Sequence, residues 1–88
     1  VWLDDLLYAE ASGNNTKIIT SELSLLPAMT LTNLEEMLPP SKFLRTHRSF
    51  IVNKSKITHI EGNRVFIGTT EIPIGNNYRE GFLKEIGF

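Results

Sequence analysis

The sequence predicts a mainly β domain, a barrel or sandwich of small sheets with two short helices covering parts of them. Three observations carry that expectation. Short runs rich in β-branched and aromatic residues recur along the chain. Turn clusters such as Ser12 to Asn15, Gly62-Asn63 and Gly68-Thr69 separate them. Apolar residues fall three and four apart, as a helix requires, in the stretches before Pro39 and at the end of the chain.

Leu3, Leu6, Leu7, Tyr8 and Ala9 mark a first strand region, and Ser12-Gly13-Asn14-Asn15 a turn. Lys17 to Thr20 and Leu23 to Leu26 follow as strands, and the turn with its flanking strands reads as a hairpin. Thr30 precedes Leu31, Leu34 and Leu38, one helical stripe with threonine as its N-cap. Glu35 and Glu36 face solvent. Pro39-Pro40 ends this helix, because proline disfavours helical backbone before it and cannot continue the hydrogen-bond ladder. Phe43 to Val52 is extended. Ile57 to Glu61 and Arg64 to Ile67 flank Gly62-Asn63, whose glycine allows the positive φ of a type II′ hairpin turn. Glu71 to Ile74 alternates, and Pro73 marks an edge strand or a strand end. The last helix begins near Asn76 or Asn77, where Asn77 and Glu80 have capping-box spacing. Its apolar face is Tyr78, Phe82 and Ile86, with Leu83 beside them. Trp2, Tyr8 and Phe50 are core residues on this reading.

The 88 residues fit one domain, taken as residues 1–88. A chain this short buries roughly 60% of the surface its unfolded form exposes, which leaves little room for a catalytic cleft beside the core. It opens on Val1-Trp2-Leu3, already apolar, which predicts a fragment of a longer protein. The absence of cysteine excludes disulfide frameworks and thiolate metal sites, and is compatible with a cytoplasmic setting. No apolar run approaches the length of a membrane span.

Catalytic and metal chemistry finds little support. His47 and Ser49 share a face of a predicted strand, but no nucleophile turn accompanies them, so they read as hydrogen-bonding core neighbours. His47 and His59, with Glu61 as the nearby carboxylate, are too few ligands for a metal. The adjacent pairs Asp4-Asp5 and Glu35-Glu36 point apart on a strand or helix, against paired acid–base work. The glycines stand singly in turns, so no phosphate loop is present. The expectation is no enzyme, no cofactor and no metal.

Charge is where the chain departs from a plain globule. The net charge is −1, yet no acidic residue lies between Glu36 and Glu61. That window holds Lys42, Arg45, Arg48, Lys54 and Lys56, five of the nine basic residues. Such segregation can make a basic face on a neutral protein, although a solvated surface is the simpler account of a charge run. Within it, Phe43 to Asn53 (FLRTHRSFIVN) is the most distinctive stretch. In an uninterrupted strand Arg45 and His47 share one face and Arg48 takes the other. A turn near Arg48-Ser49 puts Arg48 at a tip, from which a guanidinium can bond guanine O6 and N7 in a major groove. Arg45, Lys54 and Lys56 then suit phosphates, which set position but not sequence preference. Arg45 has a structural alternative, an ion pair with Glu10 or Glu61.

The chain resembles the LytTR family, the DNA-binding domains of LytR- and AgrA-like bacterial response regulators. The residues that carry the resemblance are Asp5 to Ala11 with Gly13, the leucine-rich helix from Thr30 to Leu38 ending in Pro39, FLRTHRSFIVN at 43–53, Ile57, and Ile72-Pro73-Ile74 with Tyr78. The resemblance implies about ten short strands in small antiparallel sheets with two short helices. It also implies sequence-specific binding of double-stranded DNA by loops that enter successive major grooves. Family contacts map onto Asn14, Asn15, Thr16 and Lys17; onto Arg48 with Arg45, Ser49 and Asn53; and onto Asn76 and Asn77 with Arg79. Many members carry arginine at the position of Asn76. Asparagine prefers adenine where arginine prefers guanine, so Asn76 either reads a different base or caps the helix.

The resemblance further implies a C-terminal output domain of a cytoplasmic two-component regulator of transcription, controlled by a receiver domain. Dimerisation in the full-length or DNA-bound protein would place two domains on repeated promoter half-sites. For about four phosphate contacts, the log–log dependence of affinity on salt would have a slope near −4. Two other readings are open. One is a protein-interaction module that pairs a peptide with the edge strand Ile72 to Ile74. The other, ranked last, is an RNA binder of small-barrel type.

Overall fold

Ile51 and Val52 are neighbours in sequence, both almost fully buried, and they enter different cores. Successive side chains of a strand point opposite ways, so this strand is covered on both faces. The computed structural model describes residues 5–86, which leaves the expectations for Val1, Trp2, Leu3 and Asp4 outside the described residues.

The strand belongs to a five-stranded antiparallel sheet of β1 (Leu6–Ser12), β2 (Asn15–Thr20), β3 (Ser24–Leu25), β4 (Phe43–His47) and β5 (Phe50–Asn53), in the order β3-β2-β1-β5-β4. Helix α1 (Leu31–Met37) lies on one face. Its Leu31 and Leu34, with Leu38, pack on Leu6, Ala9, Ile18, Phe43 and Ile51. On the other face sit β6 (His59–Glu61), β7 (Arg64–Ile67) and β8 (Thr70–Pro73), a second antiparallel sheet, and helix α2 (Asn76–Ile86). There Leu44 and Val52 meet Val65, Ile67, Ile72, Ile74 and Phe82, with Tyr8, Phe50, Leu83 and Ile86 around them. Phe43 and Leu44 repeat the division made by Ile51 and Val52. In β1 a register shift between Leu6 and Tyr8 changes the parity, so Leu6 and Ala9 reach the same core although they are three apart.

The local expectations match where the chain is self-sufficient. Thr30 caps α1, its Oγ1 accepting the Asn33 N–H at 3.1 Å. Gly62 opens the two-residue β6–β7 turn at φ +58°, while no non-glycine among the described residues has positive φ, as a type II′ turn requires. β8, with Pro73, is an edge strand.

Five expectations change. The described residues form eight strands where the resemblance implied about ten. Only Ser24 and Leu25 of the expected 23–26 strand pair with β2, and Leu23, Leu25 and Leu26 stay exposed. Phe43 to Val52 divides into β4 and β5 around a tight turn at Arg48-Ser49. A bulge at Thr46 then pairs Arg45 with Ile51 and His47 with Phe50, so Arg45 and His47 occupy successive pair positions and opposite faces, not the same one. Finally, the Gly75 carbonyl accepts the N–H groups of Tyr78 and Arg79 at 2.9 and 3.0 Å. Gly75 therefore stands at the N-cap, Asn76 and Asn77 are already helical, and Asn77 cannot act as the cap of the expected box.

Candidate nucleic-acid interface

Backbone hydrogen bonds bring the three expected contact regions to one end of the molecule. The β1–β2 turn is held beside the β4–β5 turn where the Ala11 N–H donates to the Ser49 carbonyl at 2.8 Å. The start of α2 is held beside β4 where the Gly75 N–H donates to the Thr46 carbonyl at 2.7 Å. The junction is close-packed: a Cβ on residue 75 would lie 3.3 Å from both the His47 ring and the Tyr78 ring, so those side chains would have to give by a few tenths of an ångström. A cleft of about 430 Å³ lies between the last two regions, lined by His47, Arg48, Gly75, Asn76, Asn77 and Tyr78.

The side chains around that cleft differ in how they are engaged. Arg48, Asn76 and Asn77 are exposed, and their side chains make no hydrogen bond or ion pair among the described residues. Asn14 is likewise exposed at the β1–β2 turn, and Lys17 projects from β2 opposite Glu10. The Ser49 N–H donates to His47 Nδ1 at 3.1 Å, which keeps that ring nitrogen as an acceptor and shapes the turn. Tyr8, paired with Val52 on β5 and packed against the second core, has its hydroxyl pKa pushed above the usual 10.0, first by burial and then by the Glu10 charge.

Other expected contact residues are engaged within the fold. Arg45 is 13% exposed at its side chain and pairs with Glu35 at 2.7 Å, not with Glu10 or Glu61. The bulge at Thr46 and the position of α1 decide that partner, and neither is visible in the local sequence. Thr16 is fully buried, its hydroxyl donating to the Met29 carbonyl at 2.7 Å. The Asn15 amide donates to the Leu26 carbonyl at 3.3 Å.

Asn53 and Lys54 lie away from the cleft, at the other end of β5. The buried Asn53 donates to the Leu6 carbonyl at 2.7 Å and accepts from the N–H and hydroxyl of Ser55 at 3.1 and 2.9 Å. Lys54 Nζ donates to the Glu85 carbonyl at 2.9 Å, in the last turn of α2, about 14 Å along the helix from its start. Arg79 Nη1 donates to the Gly62 carbonyl at 3.2 Å and to Asn63 Oδ1. That bond draws the β6–β7 turn, and with it exposed Asn63, to the cleft end. Sequence reading placed Gly62-Asn63 in a hairpin correctly but had no signal linking it to residue 79.

No group of three or more potential metal ligands occurs among the described residues. No described helix is long and apolar enough to cross a membrane.

The β scaffold thus gathers exposed, unengaged arginine and asparagine side chains from turn tips and one helix start at a single end. The profile of the LytTr DNA-binding domain matches residues 1–87, and the chain belongs to that family. It is a family of DNA-binding domains, not an enzyme class. The chain is 44% identical over 59 residues to the transcriptional regulatory protein YpdB of Escherichia coli, a match spanning 67% of this chain and 24% of that protein. It is 30% identical over 86 residues to the sensory transduction protein LytT of Bacillus subtilis, spanning 91% of this chain and 36% of that protein. A solved LytTr DNA-binding domain from a Bacillus cereus response regulator superposes with a TM-score of 0.93 at 30% identity, covering 100% of this chain and 86% of the other. The chain thus spans about a quarter to a third of the length of these curated relatives.

Proposed function

We propose that the domain binds double-stranded DNA sequence-specifically through the loop tips at its cleft end, as the output part of a transcription regulator. One observation carries the proposal: the unengaged side chains of Arg48, Asn76 and Asn77 surround a common cleft whose walls are joined by a backbone hydrogen bond. Arg48 reads guanine, Asn76 or Asn77 reads adenine, and Asn14 and Lys17 meet the duplex from the neighbouring tip. Arg45, Thr16, Asn53 and Arg79 shape and hold these groups. Lys54 is not a contact on this reading. The molecule measures 33 × 25 × 21 Å, so one domain covers no more than about one helical turn of roughly 34 Å.

The regulators similar to this chain support a wider reading in which a receiver domain, in a longer cytoplasmic protein, pairs two such domains on repeated half-sites. β8 is an edge strand of its sheet, but the family relationship favours DNA over a peptide partner.

The test is selection of bound duplexes from a random library, followed by Arg48→Ala on the selected site. A consensus should emerge, and the variant should lose about 1–3 kcal/mol of discrimination at one base pair. Absence of any enriched sequence, or unchanged discrimination in the variant, would refute the proposal.

A further inference from the structure

Arg45 joins the reading tip to a helix on the far side of the sheet edge. Its Nη1 donates to Glu35 Oε1 of α1 at 2.7 Å, its Nε to the His47 carbonyl at 2.9 Å, and its Nη2 to the Arg48 carbonyl. The guanidinium carbon lies 5.9 Å from the ring centroid of Tyr78, on the first turn of α2. Two successive carbonyls of the turn are therefore bound to one planar group. A guanidinium presents its donors in a rigid fork, so it can serve both carbonyls and a carboxylate in only one orientation. Glu35 supplies the carboxylate that selects it.

We propose that Glu35 is a positioning residue for DNA reading, acting through Arg45 on the turn that presents Arg48. The proposal rests on the reading of Arg48 as a base contact. Glu35 orients the Arg45 fork, and the fork fixes the peptide planes at His47 and Arg48. The Arg48 side chain then leaves the turn in one direction. The ion pair itself adds little stability, because Glu35 is 46% exposed at its side chain and solvent screens such pairs. Its effect is geometric. The same pair neutralises Arg45, which is thereby withdrawn from phosphate binding although it sits in the most basic part of the sequence.

The test uses the whole chain with two measurements: amide hydrogen exchange of the free protein, and affinity for duplexes substituted one base pair at a time. Arg45→Lys keeps the charge but loses the fork. Glu35→Ala loses the carboxylate, and Glu35→Gln keeps an acceptor oxygen. In Arg45→Lys and Glu35→Ala the Ser49 amide should exchange about tenfold faster as the turn loosens. Discrimination should fall about tenfold at the base pair read by Arg48 and stay unchanged elsewhere. Glu35→Gln should be intermediate, and the melting temperature of the Glu35 variants should stay close to wild type. Adding Glu35→Ala to Arg48→Ala should cost no further discrimination, since both act through one contact. A uniform loss across all duplexes, or a Ser49 amide that exchanges at the wild-type rate in Glu35→Ala, overturns the proposal. If the Ser49 amide loosens in Glu35→Ala while Arg48→Ala leaves discrimination intact, the positioning of the turn stands and the base-reading role of Arg48 falls.

Discussion

The two ends of strand β5 carry similar side chains and use them in opposite ways. Beyond its first residue, Arg48 projects beside Asn76 and Asn77 with no partner among the described residues. At its last residue, Asn53 is buried in three hydrogen bonds and Lys54 holds the final turn of α2. Both ends offer asparagine and a cation. The difference is whether the fold already satisfies their donors and acceptors. Residue type alone does not separate the two ends; whether the fold already engages their polar groups does.

The comparison is most sharply tested at Asn53. Replacing it by alanine leaves the Leu6 carbonyl and the Ser55 amide without their partner, which should cost about 2–4 kcal/mol of stability. Urea unfolding should show a lower midpoint at unchanged slope, while the folded fraction still prefers the same DNA sequence. A stable Asn53→Ala protein with altered base preference would break the contrast between the ends. Next in size is Asn76→Arg, which should move preference at one base pair from adenine toward guanine by about 1–3 kcal/mol, with the melting temperature nearly constant. Duplex panels against both proteins would show it.

Smaller effects are expected from Lys54→Ala. With its ammonium on the Glu85 carbonyl, DNA affinity should change by less than about 0.5 kcal/mol. The salt slope bears on the same point. Arg45 is paired, Lys54 is remote and Arg48 is assigned to a base, so Lys17 is the chief phosphate-binding cation left at the cleft end; with Arg48 adding at most one charge, the slope should lie between about −1 and −2 instead of the −4 expected from sequence. A slope of −4 would bring the far-end lysines back into contact. The smallest effect is alkaline. Folding raises the Tyr8 pKa above 10.0, so the unfolded chain loses that proton first. This contribution is whole below about pH 10 and declines as pH rises through the folded value. Tyr8→Phe should remove that decline in thermal melts taken above pH 10.

What could be read from sequence was local. The Thr30 cap, the Leu31, Leu34 and Leu38 stripe, the Gly62 turn and the apolar face of α2 each depend on residues a few positions apart, and each is present. The tip position of Arg48 was also legible, once a turn at Arg48-Ser49 was considered. The partners of the cations were not. Glu35 meets Arg45, Glu85 meets Lys54 and Gly62 meets Arg79 across long stretches of chain. These pairings follow from how the layers stack. The bulge at Thr46 was hidden for the same reason, because a bulge is a mismatch of length between two paired strands. An uninterrupted pattern in one strand cannot announce it.

The adjacency of β1 and β5 has a consequence for the shape of a target site. Sheet hydrogen bonds set the β1–β2 and β4–β5 tips two strand spacings apart, roughly 10 Å. That is about three base-pair steps of 3.4 Å. The spacing is set by the paired strands and by the Ala11 to Ser49 hydrogen bond, so the two tips resemble the teeth of a comb with a fixed pitch. Insertions within a half-site should therefore abolish recognition, and any tolerated variation in operator length must fall between domains.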